Sequence, residues 1–195
     1  MKRKMLFLSL SAVILVITFS SITNADTFKK SRVEGIYNAW YDSSVSSYGY
    51  TGAIDAARKN WSDISSNVSI GYTNDKTGYS TDEVYVGTTA QADLLGRALP
   101  HVISWPINIP VDPDMFNWDY SVVSFYHNNF VSHNLNTFNL RKHIATHEFG
   151  HALGLAHTTG ANQYNSIMKS GTNEEETIFS PTSYDKGQLR DKWGN

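Results

Sequence analysis

His147-Glu148-Phe149-Gly150-His151-Ala152-Leu153-Gly154-Leu155-Ala156-His157 is the stretch on which the reading of this sequence turns. It closes a run from Leu140 to Leu153 that reads as a helix, with Asn139 able to cap its start and Gly154 placed to end it. On a helix His147 and His151 stand about one turn apart on nearly the same face, so their imidazoles can aim at one ion. Glu148 sits about 100° round from His147. From there it reaches a metal-bound water without being a ligand itself. Gly154 tolerates positive φ and lets the chain swing back, which brings His157 round as a third ligand. Three neutral imidazoles leave the fourth position of a zinc ion open, as a catalytic site requires. At this chain's own residue usage the five fixed positions match by chance on the order of 10⁻⁵ times per chain.

A rival third ligand is an acid further on. Glu174, Glu175 and Glu176 follow His151 at the distance where other H-E-x-x-H sites recruit a glutamate. The chain after His157 is rich in Gly, Asn and Ser, so these acids read instead as a solvated loop. The other histidines have plainer readings. His143, four residues before His147, reads as a flanking polar residue. His101, His127 and His133 read as isolated surface groups, with a second metal site as the alternative. Asp112, Asp114 and Asp119 could take Ca2+, but their spacing is not that of a dedicated calcium loop.

The remainder of the chain supports one globular unit. Its 195 residues, 41% apolar and 13% aromatic, suffice for one domain with a core. The formal charge of −2 argues against a nucleic-acid partner. The absence of Cys excludes disulfides, a thiolate metal site and a cysteine nucleophile. Lys2, Arg3 and Lys4, then an apolar run from Leu6 to Phe19, then Thr23-Asn24-Ala25, follow the order of a secretory signal peptide. Cleavage after Ala25 leaves 26–195 as the catalytic domain, with 13 basic residues against 18 acidic ones. The expectation is a protein secreted to the exterior or cell envelope, monomeric, with no stable membrane association once the signal is removed.

Along 26–195 the elements alternate. Ile36–Tyr41, Val68–Tyr72 and Val84–Val86 read as strands, and Ala53–Trp61 as an amphipathic helix. Ser43–Gly52 reads as a loop. Leu99–Ile109 reads as an extended edge broken by prolines. Ser121–Asn134 fits strand and helix alike, and Ser183–Trp193 reads as a last helix. The class is α+β.

H-E-F-G-H-A-L-G-L-A-H resembles the metzincin zinc endopeptidases, in particular their matrixin-like branch. Ser166-Ile167-Met168 is similar to the metzincin Met-turn, with Met168 beneath the metal. Asn139–Thr146 resembles the matrixin approach to the zinc helix, Gly96-Arg97-Ala98-Leu99-Pro100 the strand on which substrate is laid, and Asp185, Leu189, Trp193 and Gly194 the C-terminal helix. The resemblance implies a twisted mixed sheet with an antiparallel edge strand. It also implies one catalytic Zn2+ on His147, His151 and His157, Glu148 as general base, and a protein or peptide substrate. Residues 169–184 would shape the pocket just after the cleaved bond. The chain departs from the family in lacking a switch cysteine, in its short Val86–Gly96 connection, and in Ser170. Two other functions remain in view: a secreted zinc-holding binding module, and a hydrolase of cell-wall peptide.

Overall fold

The computed structural model describes residues 26–195. The leader expected at 1–25 lies outside them. Elements follow in the order β1 (Ile36–Tyr41), α1 (Ser43–Ser47), α2 (Thr51–Lys59), β2 (Ser69–Thr73), β3 (Asp82–Gly87), β4 (Gly96–Val102), β5 (Ile109–Pro110), β6 (Tyr120–Tyr126), α3 (His127–Ser132), α4 (Phe138–Ala152) and α5 (Ser183–Trp193). The strands form one sheet in the order β2-β1-β3-β6-β4-β5. β1, β2, β3 and β6 pair in parallel, whereas β4 runs antiparallel to β6 and to β5.

Alternation in the strands sends one set of side chains to the helices. Tyr37 and Ala39 of β1, Val84 and Val86 of β3, and Val123 and Phe125 of β6 are buried. They meet Ile54 and Ala57 of α2 and Ile144, Ala145 and Phe149 of α4 in one core. Trp61 locks the two helices together, its indole N–H donating to the Thr146 carbonyl at 2.9 Å. α4 is buried along most of its length, which is why its apolar residues show no clean helical stripe.

Several local expectations shift. Thr137, not Asn139, caps α4, because its hydroxyl accepts from Leu140 N–H. Ser43–Gly52 is not all loop: Asp42 caps the short helix α1 through Ser44 N–H. The ambiguous stretch splits into β6 and α3, since its first half is drawn between β3 and β4. The extended edge begins earlier and stops sooner than expected, at Val102. β5 covers β4 only at His101 and Val102, and Val111 N–H closes on the Pro100 carbonyl. Gly96–Leu99 therefore keeps an open edge among the described residues, beside α4.

A strap before β1 fastens the far side. Thr27 bridges Leu155, and Arg32 bridges Trp118. Arg32 is fully buried, pairs with Asp82 at 2.5 Å, and lies 3.6 Å over the Tyr37 ring.

Candidate metal centre

α4 carries His147 and His151 to one end of the cleft. Gly154 then takes φ +92, and its N–H and that of Leu155 close back on the carbonyls of His151 and Gly150. A left-handed residue here is cheap only for glycine. The turn delivers His157 to the same point. One nitrogen from each of the three histidines lies within 4.8 Å of the others, and this is the one such group among the described residues. Glu174 and Glu175 are exposed loop acids, as expected, and stay outside the group.

The hydrogen bonds fix which nitrogens face inward. His147 Nδ1 lies 2.9 Å from the Ile167 carbonyl, and His151 Nδ1 lies 2.8 Å from the Leu155 carbonyl. A carbonyl only accepts, so each Nδ1 carries the proton and each Nε2 presents a lone pair. His147 Nε2 faces His157 Nε2 at 3.2 Å. Burial pushes the His147, His151 and His157 imidazoles below their ordinary range, His151 to about 4. The donor set is therefore neutral. Tetrahedral zinc with nitrogens at about 2.0–2.1 Å separates its ligands by about 3.3–3.4 Å. Three converging neutral imidazoles fit that ion.

Glu148 faces β4 and lines the same cleft as His147 and His157. A side chain at position 96 would put its Cβ 2.8 Å from Glu148 Oε1 and 3.0 Å from Ile144, so Gly96 permits the contact. Burial pushes the Glu148 carboxyl up to about 8, against the Ala98 N–H and the Arg97 guanidinium, which lower it. Its carboxylate form is favoured by any adjacent cation.

Support comes from beneath. Met168 is buried, its sulfur against the Cα of Gly150, where the Met-turn resemblance puts it. The Phe28 ring lies 5.8 Å from the His151 ring, a contact that nothing in the local sequence announces. Asp185 accepts from Ser166 Oγ and from Ile167 N–H. Thr182 and Asp185 form a capping box at the start of α5, a legible signal for a fixed carboxylate.

Two residues lie deeper than their local sequence suggests. His143 flanks the metal group without joining it, yet it is buried: it is 1% exposed and its Nδ1–H donates to the Ile178 carbonyl at 2.6 Å. Glu176 is not solvated either, but buried against Lys169. Both changes have one cause: the chain after Met168 folds back over α4. The remaining candidates do not gather. His101 bonds Leu99, His127 sits by Tyr50, and His133 pairs with Asp93. Asp112, Asp114 and Asp119 accept backbone N–H groups of Asp114, Lys29 and Ile103.

A search of curated proteins returns no match. The Peptidase_M10 family model, described as matrixin, matches residues 17–190. That span includes the sheet, the zinc-type helix and the Met-turn. It also decides for an enzyme over a zinc-holding binding module. The chain belongs to the matrixins and is a zinc-dependent metalloendopeptidase, a hydrolase of peptide bonds.

Proposed function

We propose that His147, His151 and His157 hold the catalytic zinc, that Glu148 is the general base, and that the enzyme works outside the cell. The convergence of three neutral imidazole nitrogens carries the metal assignment. The basic and apolar order of residues 1–25 supports secretion. Among the described residues no helix is long and apolar enough to cross a membrane.

When bound, zinc supplies Lewis-acid chemistry here, acidifying a water and polarising the scissile carbonyl. The open edge of Gly96–Leu99 pairs with an extended substrate and fixes its register. Glu148, held between that edge and α4, takes a proton on its carboxylate and returns it to the leaving amine. The residues after Met168 receive the side chain that follows the cleaved bond.

Glu148→Ala tests the assignment. Peptide cleavage should fall about 10²–10⁴-fold, with zinc content and thermal unfolding unchanged. Glu148→Gln should behave alike, because an amide cannot accept the proton at neutral pH. Wild-type rates in either variant would remove Glu148 from the chemistry.

A further inference from the structure

Two charged side chains that this chemistry does not use stand at the end of a cavity beside it. The cavity holds about 160 Å³ and runs from Glu148 and His157 past Leu95 and Ile144 to Lys169. Behind Lys169 lies Glu176, its side chain 1% exposed. Glu176 Oε1 accepts from the backbone N–H groups of Thr177 and Ile178 at 2.9 and 2.8 Å, and Oε2 accepts from Lys169 Nζ at 2.5 Å. The carboxylate is thereby saturated on the buried side. The ammonium is not. It has three N–H donors, its side chain is 30% exposed, and Glu176 is its ion-pair partner among the described residues. His143 cannot compete for the ammonium. Its ring is buried above Ile178, with Nε2 3.9 Å from Glu176 Oε2.

We propose that Lys169, clamped by Glu176, determines specificity, so that the residue after the cleaved bond is one whose side chain ends in an oxygen acceptor, Gln or Glu. The proposal rests on the reading that cleavage takes place over the three-histidine site. An apolar tip in this cavity strips water from the ammonium and returns no hydrogen bond, which is the costly case. An acceptor tip replaces the lost water. The charges of Lys169 and Glu176 offset each other, so an amide oxygen serves nearly as well as a carboxylate. The carboxylate of Asp93, at the mouth of the same cavity, is engaged by His133 Nε2 at 3.0 Å. It leaves the choice to Lys169.

Four peptides, identical except for Gln, Glu, Met or Leu after the cleaved bond, test this with zinc-loaded protein. Met matches Gln in length and has only a weakly accepting sulfur in place of the oxygen. Wild type should cleave the Gln and Glu peptides with kcat/KM about tenfold or more above Met, the scale of one charge-assisted hydrogen bond. Lys169→Met combined with Glu176→Gln removes the pair without stranding a buried charge, and should favour Met over Gln. Lys169→Arg should keep the wild-type order. A wild-type preference for Met or Leu overturns the proposal, whether or not the double variant folds. So does a Gln preference that survives in the folded double variant. Loss of all four activities in a folded, zinc-loaded double variant also overturns it, by placing Lys169 in the chemistry. Glu148→Ala on the same panel should lose all four alike. Unchanged cleavage there overturns the assignment of the base, whereas redistribution among the four peptides concerns Lys169 alone.

Discussion

Ile167 ties Asp185 to His147. Its N–H donates to Asp185 Oδ2 at 3.0 Å, and its carbonyl accepts from His147 Nδ1 at 2.9 Å. Asp185 also accepts from Ser166 Oγ and Thr182 N–H, so one buried carboxylate holds the Met-turn and the start of α5 together. An outer partner that fixes a histidine's tautomer and angle tunes the metal as well as the fold.

Asp185→Ala should therefore act on both. The orphaned donors of Ser166, Ile167 and Thr182 cost about 2–4 kcal/mol of stability. Zinc affinity should fall about 10–100-fold, because the Ile167 carbonyl is no longer held against His147. Denaturant unfolding and zinc titration read the two effects separately. Lost stability with unchanged zinc affinity would limit Asp185 to capping α5.

Gly96→Ala should slow turnover without touching the metal. Its Cβ would stand 2.8 Å from Glu148 Oε1, 2.9 Å from Glu148 Cγ and 3.0 Å from Ile144 Cγ2. Either β4 or the carboxylate must move, and a displacement of about 1 Å costs on the order of 10²-fold. A wild-type kcat in this variant would show that Glu148 has room to relax.

What the sequence made legible was local. The zinc-type helix, the turn at Gly154 and the place of His157 follow from spacing within eleven residues, and the structure brings all three histidines together. Alternation exposed three of the parallel strands. The errors arise where partners are distant in the chain. Thr137 outcompeted Asn139 as cap because only its φ and ψ are extended before the first turn. His143 and Glu176 are polar residues in polar surroundings, and only the return of the chain over α4 buries them. Arg32 and Asp82 are 50 residues apart, and neither neighbourhood predicts a buried pair. Phe28 reaches His151 by the same long-range route.

Metal-free protein should lose stability as the pH falls below about 6.5, the ordinary histidine value. Burial holds His143, His147, His151 and His157 below that value in the folded state. Between the folded and unfolded pKa values of these rings the unfolded chain binds more protons, so unfolding becomes easier as pH drops; Glu148, pushed up to about 8 in the folded state, works the other way, one group against four. For His151 that window runs from about 6.5 down to about 4. Urea unfolding of chelator-treated protein at several pH values from neutral to 4.5 checks the slope. A midpoint that stays flat through this range would mean that these rings are hydrated in solution.

His157→Ala should separate zinc binding from folding. His157 is exposed as a residue although its ring turns in toward His147, it lies on the chain beyond the Gly154 turn, and among the described residues its ring makes no hydrogen bond to the backbone that would be missed. Its loss should change the stability of the metal-free protein by less than about 0.5 kcal/mol, as for an ordinary surface site. Zinc-linked stability is another matter. A ligand at about 1,000 times its dissociation constant adds about 4.1 kcal/mol to the folded state. With two histidines left, most of that gain should vanish at the same zinc concentration. His147→Ala should weaken zinc as well, but its ring is 8% exposed and bonded to Ile167, so it should also destabilise the metal-free fold. Thermal unfolding of both variants with and without zinc, beside direct metal analysis, makes the comparison. Full zinc occupancy and a full thermal gain in His157→Ala would move the third ligand elsewhere. Glu176 could not take it without releasing Lys169, and Glu174 and Glu175 could not without refolding the exposed loop that carries them.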